Sequence, residues 1–201
     1  MYRDASLQDE PLAASRCVRF LQEVNFYLAA YAKSETTHRR DLTTQLVNVG
    51  KEVRSGGRTW SKQDLDDIAS WKGLRSRMLM TETNSSDLES RLENALRKGG
   101  ESSRIHALCD IRGIGPIMAS TLLMFTWPET YGFMDNRTYN SLRYLGFNFP
   151  KKYSTSRFTV NQLLAYLRAI RVLKERGSVS AMEIAEALYA LDSVTQLHHE
   201  I

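Results

Sequence analysis

Apolar residues recur at helical spacing along nearly the whole chain, and no segment shows the two-residue alternation between turn residues that a strand needs. Residues 15 to 32 set Val18, Leu21, Leu28 and Tyr31 among Arg and Gln. Ser61 followed by Asp64 predicts a helix start before Leu65, Ile68 and Trp71, with acids in the first turn where the helix dipole favours them. Ser86 with Glu89 reads as a capping box before Leu88, Leu92, Ala95 and Leu96, and Gly99-Gly100 reads as a stop. Thr159 with Gln162 opens a pattern through Leu163, Leu164, Leu167, Ile170 and Leu173 that Gly177 ends. Ser180 with Glu183 opens the last, through Ile184, Leu188 and Leu191. Loops are expected at 55–59, 81–85, 98–103, 127–132 and 147–156. The fold class this predicts is all-α.

The 201 residues, 42% hydrophobic and 25% charged, can bury a real core, but the length fits either one large domain or two interlocked lobes. No run approaches the roughly 18 apolar residues of a membrane span, and the first ten residues lack the apolar stretch of a signal peptide, so a cytoplasmic protein is expected. Two cysteines, Cys17 and Cys109, are too few for a disulfide scaffold or a four-cysteine metal site. His38, His106, His198 and His199 show no ligand spacing, which disfavours metal-dependent catalysis. The net charge of +4 is unevenly spread: residues 104 to 176 carry eleven basic side chains against four acids, a local +7 that suggests an anionic partner. The turn Arg54-Ser-Gly-Gly-Arg58 could hold a phosphate loosely. It lacks P-loop spacing, and a turn of this kind is more often just a turn.

The most specific stretch is 104–147. An apolar helix through Ile105, Leu108 and Ile111 meets Gly113-Ile114-Gly115, and a second helix from Pro116 to about Phe125 follows. Glycines leave no side chains in the way, so amides at the start of the second helix can approach an anion closely, while Pro116 suits its first turn. The same tetrapeptide also serves as a simple tight turn between helices. Further on, Asp135 stands before a helical pattern through Tyr139, Leu142 and Leu145, where an aspartate makes a good N-cap.

This segment resembles the hairpin region of the helix-hairpin-helix DNA glycosylase superfamily. The family pattern of an apolar residue, a loop position, a Gly-hydrophobic-Gly hairpin, a helix and then an aspartate is matched by Ile111, Arg112, Gly113-Ile114-Gly115, the helix from Pro116 and Asp135. In bifunctional members a lysine stands two residues after the second glycine, with the aspartate about eighteen further on; here that position is Ile117, eighteen residues before Asp135. The resemblance covers residues 102–147 well and implies a single two-lobed helical unit, with the flanking helices of 1–101 and 157–192 completing the lobes.

What the resemblance implies is a monofunctional enzyme that hydrolyses the N-glycosidic bond of a flipped damaged or modified base and leaves an abasic site. Asp135 would be the catalytic carboxylate, and Arg112, Gly113, Ile114, Gly115, Ile117 and Arg137 would contact DNA, mainly at phosphates. Flipping costs a few kcal/mol and needs a firm grip on the flanking backbone. Loss of lysine at Ile117 removes the amine for a Schiff base and argues against strand cleavage, unless Lys72 or Lys98 supplies it. A structural monovalent cation at the hairpin is implied, and no other cofactor or metal. A monomer is expected, and the base excised, like a role in repair or in attack on foreign DNA, stays open.

Trp127 and Tyr131 are placed to stack on a flipped base or to plug the hairpin lobe. Trp71 and Lys72, in Trp71-Lys72-Gly-Leu-Arg75-Ser-Arg77, could face the cleft, although Trp71 also fits the apolar face of its own helix. Arg143, Lys151 and Lys152 are further candidates for phosphate contact. Two rival readings stand beside the enzyme: a non-catalytic DNA-binding protein of the same fold, and a structural helical interaction module.

Overall fold

A computed structural model of the chain describes residues 11–73, 85–149 and 157–195. These form ten helices and no strand: α1 (Pro11–Gln22), α2 (Val24–Ser34), α3 (Thr37–Ser55), α4 (Lys62–Lys72), α5 (Ser85–Leu96), α6 (Glu101–Cys109), α7 (Pro116–Thr126), α8 (Asn136–Tyr144), α9 (Val160–Arg176) and α10 (Ala181–Thr195). The protein is all-α among the described residues, and none of their helices is long and apolar enough to cross a membrane. Arg75, Arg77, Lys151, Lys152, His198 and His199, all named above, lie outside the described residues.

Side-chain capping sets several helix starts. Ser61 and Asp64 form a reciprocal box at α4, Thr159 and Gln162 another at α9, and Ser180 accepts from the Glu183 amide while Glu183 accepts from the Ser180 amide at α10. Helix α5 begins at Ser85, one residue before the expected cap Ser86. The expected loop at 98–103 is cut short by α6, which starts at Glu101. The expected helix over 15–32 is two helices, broken where Glu23 leaves the helical ladder at φ −99° and ψ 8°. Its buried face is also different: Cys17, Phe20, Val24, Tyr27 and Tyr31 are buried, whereas Val18 is 54% exposed.

The chain divides into two compact units, Thr36–Pro128 and Met1–Glu35 with Glu129–Ile201. In the first, α7 is the centre, packed by α3, α4 and α6, and every residue from Met118 to Thr126 is buried. A helix apolar all round belongs inside a bundle. Gly50 on α3 makes the closest approach possible, since a Cβ there would lie 1.9 Å from the Phe125 carbonyl oxygen. Trp60, fully buried, donates from Nε1 to Thr126 Oγ1 at 3.1 Å, so the indole brings no unpaired donor into the core.

In the second unit α10 is central, with α2, α8 and α9 packed on it. Its Ala181, Ala185, Ala187 and Ala190 are all buried, small residues that let neighbours close in. The loop before α8 uses that space. A Cβ on Gly132 would lie 2.8 Å from both the Ala181 carbonyl oxygen and Ala185 Cβ.

Candidate nucleic-acid interface

The hairpin lies between α6 and α7. Two buried isoleucines, Ile111 and Ile114, anchor it from below, and the Ile114 amide donates to the Ile111 carbonyl at 3.0 Å. Between them Gly113 takes φ +90°, a conformation that side chains resist. Arg112 and Gly115 remain exposed. Gly115 is the extended N-cap residue of α7 at φ −91°, Pro116 follows in the first turn, and no side chain caps this helix end. A Cβ on Gly115 would meet nothing within 4 Å. The start of α7 is therefore a patch of bare backbone on an open surface, with the amides of Ile117 and Met118 too early in the helix to have an intrahelical acceptor. Ile117 itself is half-buried, and its carbonyl accepts from Ser120 and Thr121.

The residues present suit a monovalent cation only through neutral backbone oxygens. The carbonyls of Ile111 and Gly115 each accept one amide and retain a second lone pair. Among the described residues no cluster of His, Cys, Asp and Glu could hold a metal ion.

Asp135 belongs to the other unit. It is the N-cap of α8, accepting from the Thr138 amide at 2.9 Å, while its own amide donates to Thr138 Oγ1 at 3.0 Å. The segment leading to it is fixed at two earlier residues, by the tight packing of Gly132 and by Phe133, whose carbonyl accepts from the Tyr166 hydroxyl at 2.6 Å. Burial pushes the Tyr166 phenol well up, its hydrogen bond with Thr138 opposes this, and the negative charge of Asp135 adds to it. Asp135 itself is half-buried.

The other expected site residues fall into varied settings. Trp71 is a core residue, 3% exposed, with Nε1 donating to Thr43 Oγ1 at 2.8 Å and its ring edge-on to Phe125. Arg39 and Lys72 both lie over its ring. Trp127 is half-buried under the guanidinium of Arg104, 4.7 Å from the ring centre. Tyr131 is buried. Arg137 is engaged inside its own unit, stacked on Tyr189, donating to Ser193 Oγ at 3.1 Å and standing 3.9 Å from the buried carboxylate of Asp192. Sequence reasoning missed Tyr166, Gly132 and Arg104. Only Gly132, an isolated glycine close before Asp135, carried a signal, as a site of close backbone approach.

Comparison with known proteins gave no match, whether to a family model, a curated protein or a solved structure.

Proposed function

We infer that the chain is a monofunctional DNA glycosylase of the helix-hairpin-helix type. The observation that carries this reading is the exposed, uncapped start of α7 at Gly115, where bare backbone faces open space. Helix N-termini favour anions through unsatisfied amides and the helix dipole, and a phosphate is the anion that such a patch takes in a DNA-binding protein. The amides of Ile117 and Met118 grip a phosphate without reading sequence, and exposed Arg112 adds charge beside them. A monovalent ion, when bound at the Ile111 and Gly115 carbonyls, adds positive charge next to that phosphate.

Asp135 supplies the chemistry. As the bond between base and C1′ breaks, the sugar acquires positive charge, which a rigidly held carboxylate stabilises. The base leaves with the bonding electron pair, water adds its oxygen to C1′, the proton that water loses ends on the departed base, and an abasic site remains. Nothing at Ile117 can form a Schiff base with the sugar, so the strand stays intact.

A second reading, a DNA-binding protein without catalysis, is favoured by the capping box, which gives Asp135 a structural task of its own. Asp135→Asn separates the two, because asparagine caps helices as well as aspartate but carries no charge. With DNA bearing modified bases and alkali to reveal abasic sites, base release that depends on Asp135 supports the enzyme. DNA binding without release over a broad panel supports the binder.

A further inference from the structure

The turn Arg54-Ser-Gly-Gly-Arg58 forms one wall of a second concave site in the Thr36–Pro128 unit, a groove of about 460 Å³ bounded by Arg54, Arg58, Thr59, Arg97, Thr126 and Trp127 among others. That volume lies within the range of small-ligand sites, roughly 300 to 1,000 Å³. Its lining includes three arginines and a single carboxylate, Glu93.

The simplest competing explanation is that these arginines cap helix ends, since α3, α5 and α7 all finish beside the groove. Among the described residues neither Arg54 nor Arg97 donates to a helix-end carbonyl, and several of those carbonyls already have donors. The Gly57 and Gly56 amides and the Ser55 hydroxyl take the Glu52 and Val53 carbonyls, Arg104 takes Leu96, and Trp127 and Thr126 take Leu123 and Leu122. Arg58 pairs with Asp64 at 2.5 Å and Arg97 with Glu93 at 2.6 Å. The side chain of Arg54, exposed at the groove, has no ion pair or hydrogen bond among the described residues. Two residues on, Gly56 has φ +78°, and a Cβ there would meet nothing within 4 Å, so no side chain crowds the Gly56 backbone.

We propose that this groove binds a phosphate-bearing ligand, with Arg54 and Arg97 holding the phosphate and Trp127 offering a ring against which a base can lie. Guanidinium groups match phosphate oxygens in geometry and charge, and indole stacks on any base. The site is separate from the hairpin: Gly115 caps the start of α7 and Trp127 its end, with the eleven residues of the helix between them, about 18 Å at the usual rise. It does not depend on the glycosylase reading. A free nucleotide and the backbone of a nucleic-acid strand share the required chemistry.

Calorimetric titration of the full chain with dAMP, and separately with a short oligothymidylate, tests the site, with quenching of tryptophan fluorescence as a second readout. The expected result is saturable binding that is about tenfold weaker in Arg54→Ala and in Arg97→Ala, loses its fluorescence signal in Trp127→Phe, and is unchanged in Gly115→Asp. Binding of dAMP assigns a free nucleotide; binding of the oligonucleotide alone assigns a strand. Arg54 is exposed, so an unchanged circular dichroism melt will show that its variant is folded. No saturable binding of either ligand, or equal affinity in folded Arg54→Ala, overturns the proposal.

Discussion

The hydroxyl of Tyr166 donates a 2.6 Å hydrogen bond to the carbonyl of Phe133, two residues before Asp135. Both partners are fully buried, so neither can turn to water instead. Tyr166→Phe leaves the Phe133 carbonyl short of a donor, at a cost of about 1 to 3 kcal/mol. Urea denaturation should show that loss. If Tyr166 positions Asp135, base release falls in the variant while DNA affinity holds.

Gly115→Asp separates grip from folding. The backbone there is extended and the space open, and aspartate is a better N-cap than glycine, so the thermal midpoint should hold or rise. The added carboxylate meets the phosphate that the helix start would hold. DNA affinity should drop by about tenfold or more, with a shallower dependence on salt. Unchanged affinity would remove the hairpin from the interface.

Gly50→Ala tests the packing of α3 on α7. The new methyl would stand 1.9 Å from the Phe125 carbonyl oxygen, which is backbone and cannot swing away. The helices must separate, and overpacking of this kind costs about 1 to 3 kcal/mol. Denaturation of the variant measures it. Gly56→Ala, with nothing near its Cβ but φ +78°, should instead show only the milder backbone strain of the left-handed region, about 1 kcal/mol.

Cys109 gives a pH prediction. Burial, with a smaller contribution from the Asp110 charge, raises its thiol from 9.0 to about 11. The folded protein therefore holds this proton more tightly than the unfolded chain, and stability falls as pH rises from 9.0 toward about 11. At pH 8 the thiolate is scarce, and alkylation of Cys109 should be far slower in the folded protein than in urea.

Much of the helical architecture was legible because local chemistry and tertiary packing agree. Ser61 with Asp64 and Thr159 with Gln162 are helix starts in sequence and in space. The N-terminal helices misled, since Val18 sits at a plausible apolar position yet faces solvent while Cys17 and Phe20 go inside. Helix α3 is hard to read in the sequence although Leu42, Leu46, Val49 and Gly50 keep helical spacing, because polar residues dominate the rest of it. At the candidate site, the glycines and Asp135 stand out by residue type and spacing. Tyr166 does not, since a tyrosine within an apolar helix pattern reads as core until a distant carbonyl is brought to its hydroxyl.

The most direct test is base release by Asp135→Asn. Asparagine keeps the cap, so folding and DNA binding should match the parent protein, whereas Asp135→Ala should also lose about 1 kcal/mol of stability. On DNA carrying a broad panel of modified bases, followed by alkali, the parent chain is predicted to leave abasic sites and Asp135→Asn to leave few or none. Equal release by parent and Asp135→Asn, or none by a parent chain that still binds the DNA, would contradict the assignment of Asp135 as the catalytic carboxylate.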